Sequence, residues 1–293
     1  MYRSLKKWFP LFLLPTLVAF LLSFIVPFVY GVIFSFCEFQ TLTKFRFVGL
    51  DNFRRVLFSG QYNFWQSLGF TVIFALLSVV IINICAFFLA YALTRNIPGR
   101  NVYRTVFFMP NLIGGIVLGY VWKMVLNYGV LLPLFGKDLS YSSTFGFFGL
   151  LAVLCWQQIG YMMIIYIAGL QAVPDSLIEA AKIDGATGWQ TLRRVTIPMV
   201  MPSVTICLFL SITNSFKLYD QNLSLTAGLP AVTDEGGITH KMTQLLALCI
   251  SDTYGNSARA HGTAQAMAVV FFLIVAAISL TQLSITHRRE VQQ

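Results

Sequence analysis

Apolar residues in this chain gather into long runs rather than alternating or recurring at heptad spacing. Six runs stand out, at residues 8–37, 68–93, 106–126, 145–170, 199–216 and 264–285. A helix needs about 20 mostly apolar residues to cross the hydrocarbon core of a bilayer, and each run meets or approaches that length. The pattern predicts an all-α polytopic membrane protein with six transmembrane helices. The first run follows a basic start, as a signal peptide would. It is too long for a typical signal core and lacks a clear small-residue cleavage site, so it reads as a retained helix, kinked at Pro10, Pro15 and Pro27. Residues 48–58 alternate polar and apolar positions at helical spacing and predict a short amphipathic helix at the outer interface.

Charge sharpens this picture. Of 293 residues 57% are hydrophobic and only 11% charged, against about a quarter charged in soluble domains. The net charge of +9 could suggest nucleic-acid binding, but Lys and Arg mostly flank the apolar runs, as at Arg3-Lys6-Lys7, Arg95-Arg100-Arg104 and Arg288-Arg289. That is how a membrane protein fixes its orientation. With the N-terminus inside, eleven basic residues fall on the inner segments and eight on the longer outer ones, with Lys123 inside a run. Both termini are therefore expected in the cytoplasm.

Candidate chemistry is sparse. The five Cys form no CxxC pair and imply neither a disulfide framework nor a metal site. His240, His261 and His287 are far apart and read as loop residues. The runs hold no Asp or Glu away from their ends, so no proton relay is visible, and no GxxxxGK[ST] phosphate loop occurs. Nothing is spaced as a nucleophile, acid pair or metal centre, which weighs against an enzyme. If the chain drives transport, its energy comes from a partner.

The segment between the fourth and fifth runs, 171–199, carries the strongest signal. Pro174 followed by Asp175 or Ser176 predicts a capped helix start. Gly185 predicts a left-handed helix end, and Thr187 with Gln190 has capping-box spacing for a second helix. Glu179-Ala180-Ala181, three residues, Gly185, nine residues, then Val195-x-Ile197-Pro198 resembles the EAA loop of permease subunits of bacterial ATP-binding-cassette (ABC) importers. The family has Ile and Leu where this chain has Val195 and Ile197. The string Ala181-Lys-Ile-Asp-Gly-Ala186 is similar to the sugar-importing, maltose or glycerol-phosphate branch. So are Phe107-Phe-Met-Pro110 followed by Trp122-Lys123 and Asn127, and Phe216-Lys-Leu-Tyr-Asp220 followed by Leu225-Thr-Ala-Gly-Leu-Pro230. The family's Gly-Gly-Pro is Gly-Leu-Pro here, and residues 231–237 are atypical.

This resemblance implies a type I ABC importer permease fold with a cytoplasmic coupling helix. It implies an N-terminal helix and outer interfacial helix over 1–64, a transmembrane core over 65–285 and a cytoplasmic tail over 286–293. Glu179, Ala180, Ala181, Asp184, Gly185, Ala186 and Trp189 would meet an ATPase, and Trp189 would be a costly exposed aromatic unless covered. Asn111, Gly115, Gln158, Tyr161 and Asn214 fall where the maltose-type permease lines its sugar cavity. Gln157, Ser211 and Thr213 are further polar groups at depth, whose plainer role is to bond neighbouring helices. The implied partners are a second, homologous permease, a dimer of cytoplasmic ATP-binding subunits that hold ATP and Mg, an extracellular solute-binding protein and a sugar. No cofactor is expected on this chain. A secondary sugar carrier and an ABC permease for a non-sugar solute are the alternatives.

Overall fold

The computed structural model describes residues 13–41, 44–60, 62–95, 97–234, 237 and 239–288. The start of the first apolar run with Pro10, and Arg3, Lys6, Lys7 and Arg289, lie outside them. Two compact units are present. One comprises residues 1–64 and 250–272, the other 65–249 and 273–293.

The first unit opens with α1 (Leu13–Ser35), whose hydropathic window has 0% of its residues buried. A π-helical turn at Leu21–Ile25 precedes Pro27. After α1 come two short antiparallel strands, β1 (Cys37–Phe39) and β2 (Phe45–Phe47), which the run pattern did not anticipate. The helix expected over 48–58 is α2 (Asp51–Phe58). Asn52 is buried on its inner face and donates to the carbonyls of Ser35 and Cys37 at 2.9 and 2.8 Å, tying α2 to the end of α1. Gly262 lies against the Cys37 carbonyl, where a Cβ would clash.

Glu38 on β1 accepts from Arg46 at 2.8 Å and Arg55 at 3.0 Å. Bonding to Arg46, then to Arg55, holds its carboxyl below the ordinary value of 4.5. A lowered carboxyl pKa means stability that is present above pH 4.5 and lost as pH falls through the depressed value. Such a partly exposed pair contributes about 1 kcal/mol or less. Hydrogen-exchange protection of the Val48 N–H, which donates to the Phe36 carbonyl at 2.8 Å, should therefore weaken as pH falls below 4.5, and Glu38→Gln should flatten that dependence. Equal pH profiles for both proteins would remove the assignment.

The second unit is built around α6 (Ser143–Gln171), with 61% of its hydropathic window buried against 17% for α5 (Gly115–Phe135). It also holds α3 (Phe64–Thr94) from residue 65, α4 (Arg100–Phe108), α7 (Asp175–Ile183), α8 (Gly188–Met199) and α9 (Met201–Phe216). A second two-stranded element, β3 (Ala231–Thr233) with β4 (Thr239–Lys241), begins in the atypical stretch, and the helix α10 (Leu246–Asn256) follows it and runs into the first unit. The last helix is α11 (His261–His287).

Apolar burial alone does not align these helices, because lipid is as apolar as their side chains; polar pairs and small residues do. The Tyr166 hydroxyl on α6 donates to Asn83 Oδ1 on α3 at 2.8 Å, and Asn83 Nδ2 donates to Ser211 Oγ on α9 at 2.8 Å. Ser78 and Ser215 bond each other at 2.8 Å. Small residues set the closest approaches. Gly160 of α6 abuts the Phe107 carbonyl of α4, and Gly169 abuts Ser203 of α9.

Among the described residues, five helices are long and apolar enough to span a membrane. A sixth span results if α8 and α9, bent by 70° at Val200, are taken as one. The bend falls before Pro202, which cannot donate the hydrogen bond that would continue the helix. By itself α9 rises about 24 Å at 1.5 Å per residue, short of the roughly 30 Å core.

The expected third span, 106–126, is not one helix. α4 ends at Phe108, Met109–Leu112 forms a tight turn and Ile113 is extended, so the membrane-length helix is Gly115–Phe135. Pro110 lacks a donor, and Gly114-Gly115 removes side-chain support where the chain turns. Nor are the three histidines in loops. His240 is in β4, His261 opens α11 and His287 closes it.

Candidate functional site

Two features of the second unit concentrate functional chemistry. The first is the elbow of α7 and α8. α7 starts at Pro174, with no side-chain cap from Asp175 or Ser176. The expected cap does not form because Pro174 itself holds the cap position, with Asp175 already in the first turn, where its charge favours the helix N-terminus. The far end is closed by a paired hydrogen-bond motif. The Gly185 N–H donates to the Lys182 carbonyl at 3.1 Å and the Ala186 N–H to Ala181 at 2.9 Å, with Gly185 at φ +77°. This is the left-handed helix ending that favours glycine. α8 then starts with a full capping box. Thr187 N–H donates to Gln190 Oε1 at 2.7 Å, and Gln190 N–H to Thr187 Oγ1 at 3.3 Å.

Every backbone device of the elbow is thus satisfied locally, while its apolar tips are left outside. Ile183 is 86% exposed and Trp189 64%. Glu179, Ala180, Asp184 and Gly185 are exposed as well, and Ala181 and Ala186 are half-buried. Large apolar side chains left this exposed mark a candidate contact surface. Behind it lies a cavity of about 460 Å³ between the end of α3 and the elbow, lined among others by Tyr91, Arg95, Lys182 and Thr191.

The second feature is an open cavity of about 220 Å³ where α9 ends. Its walls are Leu154 and Gln158 of α6, Asn214 of α9, and the following residues Lys217, Leu218, Tyr219, Asp220 and Gln221. Asn214 Nδ2 donates to Gln158 Oε1 at 3.3 Å. Beside it, Gln221 Nε2 donates to Gln157 Oε1 at 2.6 Å, and Gln157 Nε2 to the Ile113 carbonyl at 3.0 Å. That last bond satisfies the extended backbone left by the break before α5. A Cβ placed on Gly115 would lie 2.7 Å from Asp220 Cβ and 3.1 Å from its Oδ2. Gly115 is therefore the space into which Asp220 fits.

Of the five residues expected to bind substrate, the structure brings Gln158 and Asn214 into one cavity and sets Gly115 against a third wall residue, Asp220. Asn111, in the turn Met109–Leu112, and Tyr161, which packs partly buried against the apolar core, are not among its walls. Ser211 bonds Asn83 of α3, Gln157 bonds the extended Ile113 and Gln221, and Thr213 bonds its own helix. Lys217, Tyr219, Asp220 and Gln221 were missed as site residues. The available signal was positional, since polar residues directly after a short span return to the helix ends they leave.

Comparison with known proteins adds four findings. The family described as binding-protein-dependent transport system inner membrane component matches residues 92–290. The probable starch degradation products transport system permease protein AmyD of Thermoanaerobacterium thermosulfurigenes is 42% identical over 292 residues, covering 97% of this chain and 96% of that protein. The multiple sugar-binding transport system permease protein MsmF of Streptococcus mutans is 29% identical, covering 98% and 97%. Among solved structures, a bacterial ABC transporter involved in the import of the acidic polysaccharide alginate superposes with a TM-score of 0.77. It shares 19% identity and 98% coverage of both chains, which is a likeness of fold.

Proposed function

We propose a function from one premise: this chain belongs to the binding-protein-dependent transport system inner membrane components. It is the membrane-spanning permease subunit of an ATP-driven importer for a sugar or oligosaccharide. The cargo class rests on the relatives, whose names speak of starch degradation products and of multiple sugars. The observation that carries the mechanism is the elbow, a locally complete turn with an exposed Ile183 and Trp189.

In this reading the elbow seats in a groove of a cytoplasmic ATPase dimer that holds ATP and Mg, so both termini are cytoplasmic. A second permease completes the pathway, and an extracellular binding protein delivers the sugar. Force on the elbow is transmitted because α8 continues into α9 through a fixed bend. α9 is joined to α6 by the Gly169–Ser203 contact, by Cys207 Sγ donating to the Met162 carbonyl at 3.7 Å, and by Asn214 and Gln158 at the cavity. Closure of the ATPases would shift α9 against α6 and open or close the cavity. Cargo moves because the two states bind it differently. Gln158 and Asn214 are the binding pair, Gly115 makes room beside them, and Asn111 and Tyr161 are assigned by resemblance.

Reconstitution into vesicles with the partner permease, ATPase and binding protein should give ATP-dependent accumulation of at least one oligosaccharide. Uptake that needs no ATP, or none for any sugar, would overturn the reading. Gln158→Ala and Asn214→Ala should each lower uptake about fivefold, since one lost hydrogen bond is worth about 1 ± 0.5 kcal/mol and about 1.4 kcal/mol is tenfold. Because the two amides bond each other, the double variant should fall by less than the product. Unchanged uptake kinetics in both single variants would return the pair to a purely structural role.

A further inference from the structure

The cavity at the end of α9 carries a charge pattern that narrows the cargo. Two of its walls are ionic, Lys217 and Asp220, one of each sign, and none is Arg. Sites built for carboxylates or phosphates usually rely on the planar guanidinium fork, which offers two parallel donors. Here the wall polar groups are instead the amides of Gln158, Asn214 and Gln221 and the Tyr219 hydroxyl. The Asn214–Gln158 bond uses one donor and one acceptor, so Gln158 Nε2 and Asn214 Oδ1 stand outside it. An adjacent donor and acceptor suit a sugar hydroxyl, which is both.

Asp220 is held in this wall by geometry. It stands at the start of the helical segment 220–226, where the positive end of the peptide dipoles favours a carboxylate, and its Cβ fits the gap left by Gly115. An ionised carboxylate only accepts hydrogen bonds. It therefore receives neutral hydroxyls and repels a second anion placed beside it, while the wall's one cation, the Lys217 ammonium, is a flexible point charge without the two-donor fork. At about 220 Å³ the open cavity is smaller than the roughly 300–1,000 Å³ of ligand pockets that enclose a whole drug-sized molecule, which is room for one or a few sugar groups at a time.

We propose that this cavity selects an uncharged oligosaccharide, with the Asp220 carboxylate between Gly115 and the Asn214–Gln158 pair as the group that excludes acidic sugars. The proposal rests on the permease reading above and deepens it.

The test measures direct binding to the assembled complex in nanodiscs, without the binding protein, so that its selectivity does not intervene. The neutral probes are maltotriose, cellotriose and raffinose; the acidic ones are trigalacturonate and triglucuronate. At least one neutral trisaccharide should bind tenfold or more tighter than either acidic one. Asp220→Asn, which keeps the shape and removes the charge, should shrink that ratio to threefold or less. An acidic trisaccharide binding as tightly as the best neutral one, or a ratio unchanged in Asp220→Asn, would overturn the proposal while leaving the sugar-permease reading in place. If no trisaccharide of either kind binds, that reading fails and the proposal fails with it. Should Asp220→Asn not assemble, the wild-type ratio alone decides.

Discussion

Gly160→Ala should all but abolish recovery of folded protein. On α6 this position faces the backbone of α4, where a Cβ would run into the Phe107 carbonyl and lie 2.9 Å from the Phe108 nitrogen. No flexible side chain can move aside. The two helices must part, and with them the contacts around the break before α5. Overpacking usually costs about 1–3 kcal/mol, and a clash with backbone belongs at the upper end or above it. That is a large share of a stability of roughly 5–15 kcal/mol. Size-exclusion of the detergent-extracted protein should show loss of the monodisperse peak. Gly69→Ala is the matched control, because a Cβ there meets nothing within 4 Å, and alanine in a helix is favoured over glycine by about 1 kcal/mol. If Gly160→Ala behaves like Gly69→Ala, α4 and α6 do not approach as described.

Gly185→Val should leave the protein folded and inserted yet cut sugar uptake by more than tenfold. A Cβ at Gly185 also meets nothing within 4 Å, but the residue sits at φ +77°. The left-handed conformation costs an L-residue about 1–2 kcal/mol, and more for a β-branched one. Relieving that strain undoes the paired hydrogen bonds to Lys182 and Ala181 and re-aims α8. The position of Trp189 relative to Ile183 would then change, while the buried part of the second unit is untouched. Gly185→Asn is the graded counterpart, since Asn is enriched in this conformation over other side chains, and it should retain most of the uptake. The measurement is ATP-dependent accumulation in vesicles beside a thermal melt of each variant. Full uptake by Gly185→Val would detach the elbow's shape from energy coupling; a collapsed melting temperature would instead give it a structural role.

The contrast between these two glycines shows where one-dimensional reading works. Gly185 was legible because its role is local. A helix end, a left-handed residue and a capping box two positions later all lie within a few residues, and their hydrogen bonds close among themselves. Gly160 was not legible, because the atom that forbids its side chain belongs to a residue 53 positions away in the numbering of the chain. The same division runs through the polar residues at depth. Gln158 and Asn214 stood out as polar groups in apolar runs, yet so did Gln157 and Ser211. Only their partners separate them: Gln157 bonds the Ile113 carbonyl and Ser211 bonds Asn83, while Gln158 and Asn214 share a cavity wall.

The linear order of residues by itself determined the membrane class, the approximate span positions and the elbow, since hydropathy records which solvent a segment meets and caps are written in adjacent residues. The break of the run 106–126 at Ile113 has local causes, Pro110 and Gly114-Gly115, that hydropathy does not record, whereas tertiary structure alone decided that Lys217 and Asp220 return to the cavity of Gln158 and Asn214 and which glycines are contact points. The physical reason is that these outcomes depend on distances between helices. In a bilayer such distances are set by small residues and polar pairs far apart in the chain, where hydropathy has nothing left to distinguish.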